Sequence, residues 1–506
     1  MINKDVKAIK EELFPNFNNE IYQIENYGIT TDIIKKIRQK QEYKKEHMKD
    51  LYNRYKICED NVPIFNRTFT EEGTINNKLN NDYFGEIVRT TVGYFAGSPF
   101  SYTYSQVDKD STGNGTASVP DETLQRNIDI VKHFVLYNGL ADKDVEATKI
   151  SAICGYVGRL LYIDRYGEEA VAMLDPWEVT VLSRQGIENP QYALREMEDI
   201  EVVKENGETK TVTKLEFYDE KYIYYFEDGD DGLIPDTSLI GTREGIYQSG
   251  NFVVQEHLFD YCPLQGIPQN KEMLGIAENV MSLIDAIDRS LSDCNSEVEA
   301  FKLAYLLITG ADISDEELQK ARATGTFILP PLGEVDMKYL IKEINDVFIE
   351  NHINRLDKHI YKFSSTPDLS DDVFGQVSSG VAMKFKLFPL ETRCIMFERK
   401  FHEANMYMFK VLASSLRKKN IDFDYLETVI EYKRSMPIDL EYESNCQAKL
   451  KGLVSEQTRL NLFSVIDDAE YEKELMEEEQ ENIEPLNFEE ETTTTNTGRM
   501  PETGIV

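Results

Sequence analysis

Ala277-Glu-Asn-Val-Met-Ser-Leu-Ile-Asp-Ala-Ile-Asp-Arg-Ser-Leu-Ser-Asp-Cys-Asn-Ser-Glu-Val-Glu-Ala-Phe301 repeats an apolar residue at alternating steps of three and four. Ala277, Val280, Ile284, Ile287, Leu291, Cys294, Val298 and Phe301 therefore share one stripe of a helix. Asp285, Asp288, Arg289, Asp293, Glu297 and Glu299 fall on its other faces. Ile349, Ile353, Leu356, Ile360 and Phe363 repeat the pattern, and Leu390, Cys394, Phe397, Phe401, Ala404, Met408 and Val411 do so again. Helices with one narrow apolar seam and charged remaining faces want neighbours alongside. An ordinary helical core of a large domain would show the same periodicity, so the seams alone leave both readings open.

Between the first two seams, Leu303 to Thr309 reads as a strand, and Ser314 with Glu317 forms a capping box that opens a short helix. Thr326 to Leu329 reads as a second strand, ended by Pro330 and Pro331. After the second seam, Ser364 to Gly380 is a loop of small residues with three aspartates and no Lys or Arg. The third helix starts near Gly380 and contains Pro389, which predicts a kink near Phe388.

Toward the N-terminus, Thr30 to Tyr55 is helical in pattern and heavily charged, which predicts a solvated helix. Asn77 to Pro99 is apolar on one face and closed by Gly97 and Pro99. Asp108 to Pro120 is a loop by composition, and Leu124 to Leu140 is another helix. From Tyr156 to Pro263 the period becomes two, in runs such as Gly158–Asp164, Val179–Leu182, Lys214–Tyr218 and Tyr222–Phe226. Turns at Asp164–Gly167, Glu205–Gly207 and Asp228–Gly232 make this an antiparallel β-rich region. After Leu426 an alternating run (Val429, Ile430, Tyr432) precedes a helix after Ser455. Asp467 to Glu491 then crowds acids against Lys473 alone, a composition that predicts a solvated, partly disordered tail. The fold class expected is α+β.

At 506 residues, two to four domains are expected. The charge excludes some functions: 91 Asp and Glu against 55 Lys and Arg give −36. Gripping nucleic acid by its phosphates requires clustered cations. Here only short pieces exist, Lys35, Lys36, Arg38 and Lys40, and Arg417, Lys418 and Lys419. Tight nucleic-acid binding is not expected, whereas passage of DNA past a repelling surface is compatible. Cys58, Cys154, Cys262, Cys294, Cys394 and Cys446 are scattered with no CxxC pair, as buried thiols in a reducing compartment would be. The first residues lack a signal-peptide core, and no apolar run approaches the ~20 residues of a membrane helix, so a soluble, cytoplasmically made chain is expected.

Catalytic and cofactor chemistry finds little support. There is no GxxxxGK[ST] loop and no GxGxxG between a strand and a helix. His352 and His359 lie seven apart around Asp357, the wrong spacing for a metal pair on one helix face. Asp228, Asp230 and Asp231 before Gly232 lack the register and closing Glu of a calcium loop. Ser378 and Ser379 beside Gly380 make no nucleophile elbow. No enzyme, cofactor or metal site is expected.

The order of several short segments is more specific than any one of them. They are Val92-Gly-Tyr-Phe-Ala-Gly-Ser-Pro99, Leu283-Ile-Asp-Ala-Ile-Asp288, Ser292-Asp293, Glu299-Ala-Phe301 and Ala304-Tyr-Leu306. Ser378-Ser-Gly-Val-Ala-Met-Lys-Phe-Lys-Leu387, Arg434-Ser-Met-Pro-Ile-Asp439, Leu453-Val-Ser-Glu-Gln-Thr458 and Asp467-Asp468 follow. In this order the chain resembles the portal proteins of tailed bacteriophages, of the siphovirus type of Gram-positive hosts. The resemblance implies a wing over residues 1–273, stem helices at 274–301 and 341–363, and a clip at 302–340. It further implies a channel loop at 364–378, a long kinked wing helix at 379–416, a crown at 417–466 and the acidic tail at 467–506. On that likeness the stem packs through Val280, Ile284, Ile287, Leu291, Ile353, Leu356 and Ile360. The loop presents Asp368, Asp371, Asp372, Phe374 and Gln376 to DNA, and the clip meets partners through Asp315, Glu316, Gln319 and Lys320. The implied partners are further copies in a ring, twelve in all, and the double-stranded DNA in its channel. The terminase large subunit, a head-completion adaptor, and the major capsid and scaffolding proteins complete them, with no membrane and no cofactor. The assembly would stand at a capsid vertex of the virion, built in the host cytoplasm. Two other classes are an acidic scaffold, adaptor or DNA mimic acting through the tail, and a hydrolase with an unrecognised site.

Overall fold

The computed structural model describes residues 15–69, 75–105, 122–184, 190–203, 209–229, 232–301, 305–309, 336–340, 346–369, 380–435 and 440–463, with isolated positions at 316, 319, 466, 472, 473, 475 and 476. Two units are distinguished, Met1–Ser435 and Met436–Val506.

Helix α1 (Asn18–Tyr27) packs against α2 (Thr31–Tyr55), which Thr30 caps by accepting a hydrogen bond from Ile33 N. The solvated helix expected here is instead a core element. Ile33, Ile34, Ile37, Met48 and Leu51 are buried, and Lys44 and Lys45 are buried with them. Those cations are met from inside the protein: Lys45 pairs with buried Glu196, and Lys44 Nζ donates to Met273 O at 2.7 Å. Arg38 Nε reaches Glu196 at 2.8 Å while its guanidinium also pairs with Asp228. A charged helix face is solvated only when no countercharges await it.

Helix α3 (Tyr83–Ala96) is closed at Gly97 and leads to strand β1 (Ser101–Tyr104). The helix expected over Leu124–Leu140 ends two residues early, and a second follows: α4 (Glu122–Asn138) and α5 (Leu140–Cys154) meet at Gly139, whose φ is +56°. Gly155, φ +79°, ends α5 and lies so close to Met273 O that a Cβ would sit 2.2 Å from it.

The β-rich stretch is antiparallel, as expected, and it divides into two sheets. Strands β2 (Tyr156–Ile163), β3 (Glu169–Leu174) and, later, β11 (Leu264–Pro268) form one in the order β11-β2-β3. The other runs β4-β5-β6-β7-β10-β9, built from β4 (Val179–Leu182), β5 (Tyr192–Val203), β6 (Thr209–Tyr218), β7 (Tyr222–Gly229), β9 (Ile246–Ser249) and β10 (Phe252–Glu256), with β8 (Gly232–Pro235) also paired to β7. One face of the larger sheet buries Leu194, Leu215, Phe217 and Phe226 against Ile21, Ile34 and Ile37 of α1 and α2.

Helix α6 (Met281–Phe301) follows a single 3-10 turn, Glu278–Val280, so the first seam begins helically a few residues later than its spacing suggested. Strands β12 (Tyr305–Thr309) and β13 (Asp336–Leu340) pair antiparallel, Tyr305 opposite Leu340. Among the described residues the partner of the first insert strand is 336–340. The strand expected at Thr326–Leu329 and the capping box at Ser314 lie outside the described residues, as do the loop at 108–120 and most of the acidic tail. Helix α7 (Asp346–Ser364) pairs with α6, and α8 (Gly380–Lys418) runs helical past Pro389 without a break. Strand β14 (Thr428–Glu431) returns to pair with β1. In the second unit, α9 (Leu440–Leu450) and α10 (Glu456–Asn461) follow one another, the latter capped by Ser455. Helices and antiparallel sheets in separate runs make the class α+β. Among the described residues no helix is long and apolar enough to cross a membrane.

Candidate functional site

The seams of α6 and α7 meet. Val280, Ile284, Ile287, Leu356 and Ile360 are buried in one apolar cluster, with Leu291 and Ile353 packed at its margin. Asn279 Nδ2 donates to Phe363 O at 2.8 Å, tying the start of one helix to the end of the other. The seam does not stay covered along its length: Val298 on α6 and Phe363 on α7 are exposed.

The polar faces of α6 are equally specific. Asp288, Ser292 and Ser296 recur every four residues and receive the extended segment 77–81. Asn81 N and Nδ2 each donate to Asp288 Oδ1 at 2.8 Å, Leu79 N donates to Ser292 Oγ at 2.9 Å, and Asn77 N donates to Ser296 Oγ at 3.1 Å. Burial raises the Asp288 carboxyl above its ordinary value, against the pull of the two Asn81 donors. Arg54 and Arg67 pair with Asp285 and Asp293 on the flanks. Helix α7 is fastened to α3 by a crossed pair: Tyr83 Oη donates to Asp357 Oδ1 at 2.8 Å, and Tyr361 Oη to Glu86 Oε1 at 2.9 Å. The two rings meet edge-on with centroids 5.9 Å apart, and burial beside carboxylates keeps both phenols protonated. The apolar seams do not encode these ties; the i, i+4, i+8 spacing of Asp288, Ser292 and Ser296 is the signal that the sequence carries for the ladder.

Helix α8 is the third part. Phe397 and Phe401 join Phe95, Phe100 and Tyr432 in an aromatic cluster, with Phe95 and Phe397 centroids 5.1 Å apart and Phe100 and Tyr432 4.9 Å apart. Arg434 spans two turns of α8, donating to Glu391 Oε2 at 3.0 Å and Glu398 Oε2 at 2.6 Å. Farther along, Arg159 of β2 is 1 % exposed, and its guanidinium donates to Asn405 Oδ1 and Ala404 O, both at 2.6 Å. Asn405 in turn reaches the Tyr102 and Tyr432 hydroxyls, and Tyr102 Oη donates to buried Asp144 at 2.6 Å. Desolvation pushes Asp144 up to about 6 despite Tyr102 and Arg159.

Of the residues singled out for the loop after α7, Asp368 is half-buried, whereas Asp371, Asp372, Phe374 and Gln376 lie outside the described residues. In the insert, Glu316 and Gln319 are helical and exposed, and Asp315 and Lys320 lie outside them. Among the described residues no three His, Cys, Asp or Glu side chains are placed to hold a metal. The arrangement therefore consists of packed and laced helices, an insert hairpin and a long helix locked to two sheets.

No curated protein matches the chain. The family described as "Phage portal protein, SPP1 Gp6-like" matches it over residues 34–486, which takes in all but the first turn of α2 and every later element to α10. The matched span includes the laced α6, the hairpin, α7 and α8 in one run, so the chain belongs to the phage portal proteins, structural rather than catalytic components that form a ring-shaped channel for DNA packaging at a capsid vertex, in company with the packaging motor and the capsid.

Proposed function

We propose that twelve copies close this ring in a virion of the siphovirus type of Gram-positive hosts. Residues 274–301 and 341–363, which carry α6 and α7, are the stem, 302–340 with β12 and β13 the clip, and residues 364–378 the loop lining the channel. Residues 379–416, which hold most of α8, join stem to wing, residues 1–273 are the wing, and 417–466 face the capsid interior as the crown. The observation that supports this reading is the order helix, hairpin, helix, loop, long helix inside the matched span. The clip, through Asp315, Glu316, Gln319 and Lys320, docks the terminase large subunit and later the head-completion adaptor, while the major capsid and scaffolding proteins surround the wing.

The chemistry of the channel is repulsion. Twelve copies of −36 total roughly −430. Asp368, Asp371 and Asp372, with Phe374 and Gln376 beside them, present carboxylates and neutral groups to the phosphates, so the duplex slides. A basic lining would release counterions at every contact and hold the DNA. Asp371→Lys with Asp372→Lys is expected to slow or stall packaging while rings still assemble, measured as DNA protected from nuclease per particle. Normal packaging by that variant removes the loop from the channel wall. Rotational symmetry counted in stained images of purified rings tests the subunit number, and any count other than twelve corrects it.

A further inference from the structure

Helix α8 carries two apolar stripes where a helix at the edge of a folded unit needs only one. Leu387, Leu390, Cys394 and Phe397 face inward and are buried. On the opposite side Phe385 is 76 % exposed, Phe388 66 %, Met396 61 % and Ile395 39 %. The steps 385, 388, 395 and 396 keep them on one strip of the helix. Arg393 lies at the boundary between the stripes, with buried Leu390 and Phe397 on one side and exposed Met396 on the other. Its Nη1 is buried and has no hydrogen-bond partner among the described residues, in a chain with 36 surplus acids. Burial, with no carboxylate beside it among the described residues, pushes the guanidinium down to about 10. By contrast Arg434, on the other flank of α8, is matched by Glu391 and Glu398. A guanidinium nitrogen buried without a partner is unfavourable and marks a place where a carboxylate can arrive from elsewhere.

We propose that the Phe385–Phe388–Ile395–Met396 strip and Arg393 form one side of the contact between neighbouring copies in the ring, and that the next copy supplies apolar side chains to the strip and a carboxylate to Arg393. This rests on the ring reading. A second copy fits better than another partner, because a ring has a heterologous interface that covers the same strip on every copy alike. It also carries the acid surplus that the arginine lacks. Aromatic and arginine side chains in a desolvated patch are the residues that dominate such contacts.

The test compares full-length wild type with Phe388→Asp combined with Arg393→Glu, by light scattering on a sizing column and by circular dichroism. The expected result is wild type as a ring many times the 58.4 kDa chain, and the double variant near 58.4 kDa with unchanged helical signal. Wild-type rings with equally complete variant rings overturn this inference and leave the ring reading standing. Wild type that stays single under all salts and concentrations overturns both. Should the variant lose its helical signal, p-benzoylphenylalanine placed at Phe388 decides instead. Irradiation is expected to give a dimer resistant to detergent, cross-linked to a carboxylate-rich segment of another copy. Adducts confined to single chains, or to a co-purified partner, count against it.

Discussion

The two halves of α8 obey different rules. From Tyr407 to Leu416 every residue except Lys410 is buried, the pattern of a helix apolar on all sides that its own chain surrounds. From Phe385 to Met396 the same helix is covered on one side only. The second half is where the monomer is held together, through the aromatic cluster, Arg159 and the sheets. The first half is finished only by company. One continuous helix thus carries both the stability of the single chain and the demand for a neighbour, and the two separate by position along it.

The strongest blow to this contrast would come at Phe401, fully buried among Phe95, Phe100 and Phe397. Phe401→Ala removes a whole ring from a closed site and is expected to cost about 3–5 kcal/mol in urea unfolding. A much smaller loss would mean that this half is not the anchor.

Next in size is a pH effect at Asp144 of α5, which reaches Asn405 in that half of α8 through the Tyr102 hydroxyl. Burial lifts Asp144 to about 6, above the ~3.9 of an exposed aspartate, so the folded chain holds this proton more tightly than the unfolded one. Stability from the protonated carboxyl is fully present below about pH 4, is lost as pH rises toward 6, and changes no further above it. The gap between wild type and Asp144→Asn in unfolding free energy should therefore change by about 2–3 kcal/mol across that window and be flat from pH 7 upward. Parallel profiles at all pH values would show that Asp144 is not desolvated beside Tyr102 and Arg159.

Much of this was legible in the sequence, for a physical reason: periodicity reports burial. The α6, α7 and α8 seams, the closure of α3 at Gly97 and the antiparallel region all follow from spacing and turn residues. What escaped depended on partners distant in the chain. Charged α2 reads as a solvated helix in the sequence because the countercharges that meet Lys45 and Arg38 come from Glu196 and Asp228, more than a hundred residues away. The pairing of β12 with 336–340 is likewise a register choice that local propensity does not encode. At the site, the seam residues were readable, whereas the serine and aspartate ladder on α6 needed knowledge of the 77–81 segment lying against it. The isolation of Arg393 is invisible in one dimension.

The smallest expected effect is the most discriminating. Phe388 is large and apolar, and replacing such a residue in a core costs several kcal/mol. On the exposed strip Phe388→Ser deletes little that a single chain covers, so its effect on a dissociated, folded chain should stay within about 0.5 kcal/mol of zero. The same substitution should weaken the ring, shifting the concentration at which single chains appear upward, because apolar area is then missing from a covered surface only in the assembled state. Urea unfolding at low concentration reads the first quantity and sizing across a dilution series the second. A loss of several kcal/mol in the dissociated chain would place Phe388 inside the monomer's own core and erase the distinction between the halves of α8. Near-zero change in both would leave the strip exposed in the ring as well, and the neighbour's contact would have to be sought along the exposed ends of α6 and α7, at Val298, Val347 and Phe363.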